Sequence, residues 1–441
     1  MKIALVNLFY KHAMPCPPHG ILSLISFLNK EFGDKIKVRY FDELPGVDIK
    51  KAVMGFNPEF IGISSFTRTI NRAYELADYF RKKTDSIVAL GGLHPSILPE
   101  ESAKYADYVI VGEGEKGLAS LIGSILEGKR HPGQLIFSEA IENLDSLPQF
   151  PWDVLDRDYY SESSQYTMEH FGLQKSDKYV ALLTSRGCPY RCMFCYSSKS
   201  PTRVRYFSSE RIISDIEYFL EEWKVNYFIF SDDDFLSNKE RLNQFCKLID
   251  KKGLQFKWGC QANVDSVEPE TLRLIKQHGC EIIAYGFESG SQKILNFLKG
   301  RRADIRDNKY AIHITKKAGI KVFGYIMLGV PTETLMDLFK TFYFTLFSPI
   351  DIISPGRIVV YPGTKLWDWC VEKNIFNESE IDFTKPYKYI YLNNKYVPEK
   401  FFGMLYYGFH RLAIPVKCLL QRKFVFAKTW RTVINKDRKK E

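Results

Sequence analysis

The chain has 441 residues, 45% of them hydrophobic, with 62 Lys and Arg against 52 Asp and Glu, for a net charge of +10. That length supports two cores and predicts two or three domains. No run of about 18 apolar residues occurs, so no membrane span is predicted. Nine cysteines, an odd number of which six stand alone without repeating spacing, argue against a secreted disulfide framework and for a reducing cytoplasm. The N-terminus, Met1 to Leu8, reads as a strand and lacks the apolar core of a signal peptide.

Over the first 127 or so residues, apolar runs at Ile3–Leu8, Ile36–Phe41, Phe60–Ser64, Ile87–Leu90 and Tyr108–Val111 alternate with helical patterns near His19–Lys30, Asn71–Lys83 and Glu115–Leu126. Five strands with intervening helices predict a flavodoxin-like, doubly wound parallel sheet. Ligands of such sheets sit outside the carboxyl ends of the strands. Those ends carry Pro17-Pro18-His19-Gly20, Ser64-Ser65-Phe66-Thr67, Gly91-Gly92-Leu93-His94-Pro95 and Gly112-Glu113-Gly114-Glu115. Each loop taken singly also reads as an ordinary turn. Residues 128 to about 177, broken by Pro132-Gly133, Pro148 and Pro151, read as a connector.

Alternation restarts with strands expected at Tyr179–Leu183, Tyr227–Ser231, Phe256–Gln261, Glu281–Phe287, Lys321–Leu328 and Asp351–Val359. Helices are expected near Glu210–Glu222, Asn238–Lys251, Glu268–His278, Ala303–Ala318 and Glu333–Leu346. Six βα units are too few for a closed eight-stranded barrel, and chemistry is again expected at the carboxyl ends of the strands. After the first of these strands stands Cys188-Pro-Tyr-Arg-Cys192-Met-Phe-Cys195. Three thiolates within eight residues suit an iron–sulfur cubane with one iron left open. A structural zinc site wants four ligands, and no fourth Cys or His follows at finger spacing.

The string C-x₃-C-x-Φ-C, with Phe194 before the last cysteine, resembles the signature of the radical S-adenosylmethionine (SAM) enzymes. The resemblance implies a partial (βα)₆ barrel and a [4Fe-4S] cluster on Cys188, Cys192 and Cys195, with Phe194 beside it. It places Asp232 and Asp233, of Ser231-Asp232-Asp233-Asp234-Phe235, near the SAM amino group. It places Glu288 and Ser289, of Gly286-Phe287-Glu288-Ser289-Gly290-Ser291, at the ribose hydroxyls, and Gly329 in the adenine wall. Where relatives carry Arg at the third strand, this chain has Gln261-Ala262-Asn263.

The four earlier loops together resemble the cobalamin-binding domain found ahead of many radical SAM domains. That implies contacts to the corrin from Ser64, Thr67, Gly91, Gly92, His94, Gly112, Glu113 and Gly114. The D-x-H-x-x-G string that supplies an axial His in cobalamin mutases is absent, and His94 is the one candidate of the right type in these loops. The expected plan is a cobalamin-binding domain over 1–130, a linker over 131–177, a radical SAM core over 178–370 and a basic, aromatic-rich, helical C-terminal region over 371–441.

The resemblance implies reductive cleavage of SAM to a 5′-deoxyadenosyl radical, with a low-potential flavodoxin or ferredoxin as electron donor. It further implies methylation of an unactivated carbon, or of phosphorus, on a small biosynthetic or lipid substrate. Cyclisation, desaturation or rearrangement with cobalamin in another role is the alternative. A zinc-dependent nucleic-acid-binding protein would leave the ordered strand-end motifs without explanation. Residues 401–441 hold ten Lys or Arg and two acids, interleaved with aromatics. They read as a helical cap on the barrel, as a contact with an anionic membrane surface, or as an RNA-binding face. The location expected is cytoplasmic, with peripheral contact at the inner face of the membrane as an option.

Overall fold

The computed structural model describes residues 1–10, 14–162, 173–199 and 203–385. The region 401–441, with its expected cap or membrane role, lies outside the described residues. The chain divides into two compact units, one built on Met1–Trp258 and rejoined by the chain from Val360, the other on Gly259–Val359.

The first unit opens with a six-stranded parallel sheet in the order β2-β1-β3-β4-β5-β6. Its strands are β1 (Lys2–Asn7), β2 (Lys37–Asp42), β3 (Phe60–Ser64), β4 (Ile87–Gly91), β5 (Tyr108–Gly112) and β6 (Leu135–Ser138). Helices α1 (His19–Phe32), α2 (Ile49–Phe56), α3 (Ile70–Lys83), α4 (Leu93–Ile97), α5 (Pro99–Ser102) and α6 (Gly114–Leu126) connect them. Strand β1 is buried on both faces, because Ile3, Ala4, Leu5 and Val6 leave no polar side to turn outward. Ile21, Ile25 and Leu28 of α1 and Leu118, Leu121 and Ile122 of α6 close one face over Ile3, Leu5 and Ile110. The order is the flavodoxin-like one extended by β6, and it reverses direction between β1 and β3.

Strand β6 falls inside the stretch expected to be a connector. Its apolar run is three residues long, and Phe137 on this edge strand is 71% exposed, so no buried pattern announced it. Further along the same unit, after α7 (Arg157–Ser161), β7 (Tyr179–Leu182) pairs in parallel with β10 (Tyr227–Phe230), both fully buried. Between them runs a two-stranded antiparallel ribbon, β8 (Ser185–Arg186) with β9 (Arg205–Tyr206). Helices α8 (Ser209–Tyr218) and α9 (Lys239–Lys252) follow β9 and β10.

Strand β11 (Lys257–Ala262) leads into the second unit, which carries β12 (Cys280–Glu288), β13 (Lys321–Leu328) and β14 (Ile352–Arg357). Its helices are α10 (Pro269–Gln277), α11 (Gln292–Lys299), α12 (Ile305–Lys317) and α13 (Leu335–Phe347). Pairing of β12 with β13 and of β13 with β14 is parallel. The second sheet takes its strands in chain order, β7, β10, β11, β12, β13, β14, as a partial barrel requires. Helix α14 (Lys365–Glu372) returns to the first unit. No helix among the described residues is long and apolar enough to cross a membrane.

Candidate functional site

The cysteine loop leaves β7 and is held at both ends. At its root the fully buried Asp232 carboxylate accepts from Thr184 N at 3.1 Å, from Thr184 Oγ1 at 2.9 Å and from Ser185 Oγ. Arg241 Nη1 donates to the Thr184 carbonyl at 2.9 Å. At the far end, Leu366 N of α14 donates to the Met193 carbonyl at 2.9 Å and Lys365 N donates to Ser198 Oγ at 3.1 Å. Cys188, Cys192 and Cys195 are thiols, all partly exposed. Ser197 Oγ donates to Cys195 Sγ at 3.2 Å. Burial pushes the Cys188 thiol up to about 11, and the nearby charges of Asp233, Cys195 and Cys192 add to the shift. Phe194 is half-buried on the same loop.

Three thiols within electrostatic reach of one another fit the donor set of a cluster with one open iron. Among the described residues no trio of His, Cys, Asp or Glu side chains already stands at metal-binding distance. Iron binds thiolates, so these residues would give up their protons on holding a cluster. The acidic triplet divides its labour. Asp232 is committed to the loop root, whereas Asp233 is exposed beside Cys188 and open to a cationic group.

At the carboxyl ends of β1, β3, β4 and β5 lies a cavity of about 280 Å³. Ser64, Gly91, Gly92, Gly112, Glu113 and Gly114 line it, joined by His19, Leu183 and Arg186. Gly92 has φ +95°, and a Cβ there would meet Ser65 N at 2.9 Å, so only glycine lets this wall form. The volume lies near the lower end of the usual range for small-molecule pockets. A cavity of this size would take a projecting part of a large cofactor rather than its whole body.

Thr67 and His94, expected at the same site, do not line this cavity. His94 is fully buried, with Nδ1 3.2 Å from Thr67 Oγ1 and the rings of Tyr74 and Phe383 against it. Burial lowers it to about 4. The histidine at the cavity is His19, whose Nε2 accepts from Leu183 N at 3.1 Å while the ring also bonds the Pro17 carbonyl. Burial, with the Arg186 charge behind it, lowers His19 to about 4, so it sits there neutral.

Sequence reasoning missed the charged network on the cavity rim. Arg186 of β8 donates to Glu113 Oε2 at 2.8 Å, to Glu115 Oε1 at 2.8 Å and to Ser23 Oγ at 3.1 Å. Arg205 of β9 binds both oxygens of Glu113 and donates to the Ile141 carbonyl at 2.7 Å. Burial works against the Glu113 charge, but hydrogen bonding from Arg205 and the charge of Arg186 hold its carboxyl below the ordinary value. Glu113 is thus occupied by protein partners. The arginines lie 71 to 92 residues from these carboxylates, and no local signal could have matched them.

In the second unit, β12 bulges at Gly286/Glu288, and Glu288 adopts φ +61°, a left-handed conformation that is costly for a side chain of this kind. Its carboxylate is buried, with Oε1 3.3 Å from Lys299 Nζ and Oε2 without a hydrogen-bond partner. Burial raises its pKa, opposed by Lys299. A strained residue presenting an unsatisfied buried oxygen is a candidate ligand contact. Ser289 differs, since its Oγ is 2.9 Å from Thr341 Oγ1 and accepts from Ser291 N at 3.1 Å. Gly329, at φ +80°, donates to Glu333 Oε2 at 2.7 Å, so buried Glu333 shapes this turn. Asn263 Oδ1 accepts from Asp265 N at 3.2 Å and caps a short turn.

The chain matches the Radical SAM superfamily over residues 182–344 and the B12 binding domain over residues 9–122. An uncharacterized methyltransferase of Pyrococcus horikoshii is 29% identical over 377 residues, covering 81% of this chain and 79% of that protein. The bacteriochlorophyllide d C-8(2)-methyltransferase of Chlorobaculum tepidum is 27% identical over 327 residues, covering 70% and 67%. Among solved structures, the radical SAM methyltransferase TsrM of Kitasatospora setae, with cobalamin and a [4Fe-4S] cluster bound, aligns with a TM-score of 0.68 at 17% identity. That alignment covers 84% of this chain and 75% of TsrM. The chain thus carries a B12 binding domain followed by a Radical SAM domain, in the same order as its sequence motifs.

Proposed function

We propose that this protein is a cobalamin-dependent radical SAM methyltransferase acting on an unactivated carbon, or on phosphorus, of a small molecule. One observation carries the reading. The loop that carries the three thiols is rooted, through Arg186, in the rim of the crevice at the B12-binding strand ends. When bound, the cluster supplies one electron to cleave SAM and cobalamin supplies a carrier for the methyl group.

The chain's own residues bind, orient and exclude. Cys188, Cys192 and Cys195 hold the cluster, Asp233 accepts the SAM ammonium, and Glu288 Oε2 accepts ribose hydroxyls, for which a carboxylate oxygen is suited. Phe194 packs beside the cluster. Gly329, held by Glu333, presents a turn against the adenine. Gly91, Gly92, Gly112 and Gly114 admit cobalamin to the crevice, and Ser64 offers a hydroxyl there. Leu183, Phe150 and Phe207 keep water from its inner wall. Asp232 and Ser289 keep the motifs in shape without touching the cofactor. A low-potential flavodoxin or ferredoxin is the electron source.

The test is anaerobic incubation of the cofactor-loaded protein with methyl-labelled SAM, a reductant and a small-molecule extract of its host. Label in a new product, with 5′-deoxyadenosine formed, is the expected result. Formation of 5′-deoxyadenosine with products that carry no label would replace methylation by cyclisation, desaturation or rearrangement.

A further inference from the structure

Helix α13 is inverted. Its inner face is largely polar: Asp337, Thr341 and Thr345 are buried, with Phe344 beside them. Thr341 Oγ1 accepts from Gly290 N at 3.1 Å, and Asp337 Oδ1 accepts from Ser291 Oγ at 2.6 Å. The backbone sits so close to the Glu288–Ser291 turn that a Cβ on Gly290 would run into the Lys340 carbonyl and Thr341 Cα. Its outer face is apolar: Met336, Phe339, Tyr343 and Phe347, spaced by three, four and four residues, are each 60–64% exposed. With Leu335 and Tyr310 they make six of the thirteen exposed large hydrophobic side chains among the described residues. Surface helices ordinarily do the reverse, and a contiguous apolar face of this kind marks an interaction surface.

Between α12 and α13 this face opens a groove of about 640 Å³, lined by Ile305, Ile312 and the α13 aromatics, with Lys309 and Lys340 on it. Both lysines are exposed, neither forms an ion pair among the described residues, and no acidic side chain lines the groove. That charge pattern selects the occupant. A second copy would bring its own two lysines to the same face. An anionic lipid surface satisfies both features, receiving the aromatic and Met side chains among its acyl chains while its headgroups meet the lysines. We infer that the outer face of α13, with Lys309 of α12, is a docking surface for an anionic membrane.

The full-length protein is floated with phosphatidylcholine vesicles and with vesicles containing one quarter phosphatidylglycerol. Two double variants are compared, Phe339→Gln with Phe347→Gln, and Lys309→Glu with Lys340→Glu. The second changes exposed charges alone and guards against a folding defect in the first. The wild type should float with the anionic vesicles and not the neutral ones, and each variant should lower the bound fraction at least fivefold at an unchanged melting temperature. Three results overturn the inference: no flotation of the wild type; flotation unaltered by both variants, which assigns binding to another segment; or a dimer in light scattering that the aromatic variant dissolves, which assigns the face to a second copy. The readout needs no turnover, so it stands or falls apart from the methyltransferase reading.

Discussion

Arg186 stands two residues before Cys188 and donates to Glu115 Oε1 at 2.8 Å, although Glu115 lies 71 positions earlier in the chain. The Glu115 side chain is 3% exposed, and Ser23 Oγ donates to the same oxygen at 2.5 Å. A buried pair of this kind costs about as much to desolvate as it gains, but removing one partner strands the other charge at about 3–5 kcal/mol. Arg186→Met should lower the melting temperature clearly, Glu115→Met less so because Arg186 keeps Glu113 at 2.8 Å, and the double variant should lose less than the sum of the two. Simple additivity in calorimetry would mean that the pair is not coupled.

Gly92 is the sharpest steric test of the crevice. Gly92→Ala places a methyl group against Ser65 in a left-handed backbone and should weaken corrinoid binding at least tenfold in a spectrophotometric titration. Gly55→Ala is the control, because Gly55 does not line the crevice and nothing lies within 4 Å of a Cβ built there. An alanine at that helical position should leave affinity unchanged and raise stability by about 0.5–1 kcal/mol. Equal affinities for the two variants would remove the crevice as the binding site.

Glu288 and Ser289 are neighbours with opposite expectations. Glu288→Gln keeps the shape but removes the charge on an oxygen with no protein partner, so SAM affinity in equilibrium dialysis should fall about tenfold or more. Ser289→Ala deletes a hydroxyl already engaged by Thr341 and Ser291. It should cost about 1–3 kcal/mol of stability and leave SAM affinity nearly intact. A loss of affinity for Ser289→Ala as large as for Glu288→Gln would return the serine to the ligand contacts.

The His19 ring predicts a pH dependence of definite sign. Its pKa in the folded protein, about 4, lies below the ordinary 6.5. The unfolded chain takes up the proton first, so stability present above pH 6.5 is lost as pH falls towards 4. The limiting slope is about 1.4 kcal/mol per pH unit. Protonation also ends the acceptance of the Leu183 N–H. His19→Gln, which retains an acceptor, should show a flatter profile over that window in thermal melts. Parallel profiles would mean that His19 is not the titrating group.

The two sheets were legible because their strands are long apolar runs separated by helical periodicity. The cysteine loop was legible because its three ligands fall within eight residues. What escaped depends on distant partners. The β8–β9 ribbon has two residues per strand, and β6 turns Phe137 to solvent. Asp232 and Ser289 sit in motifs that name the right loops, yet their hydrogen bonds go to Thr184 and Thr341, 48 and 52 residues away. His94 and Thr67 share a strand-end position with the crevice glycines but turn into the core towards each other. A residue's place in a motif identifies its loop, and the packing of its side chain decides whether it meets ligand or protein.

The central claim is that one chain carries a cluster on Cys188, Cys192 and Cys195 and a corrinoid on the strand-end crevice. Its most direct test is anaerobic purification from cells supplied with cobalamin, followed by iron, sulfide and corrinoid analysis of the wild type and of Cys188→Ala, Cys192→Ala, Cys195→Ala and Cys246→Ala. The account predicts about four irons with one corrinoid per wild-type chain. It predicts loss of iron in each of the first three variants and unchanged iron in Cys246→Ala, whose thiol is buried away from the loop. Full iron in any of the three loop variants, or a wild-type protein with iron and no corrinoid, would contradict it.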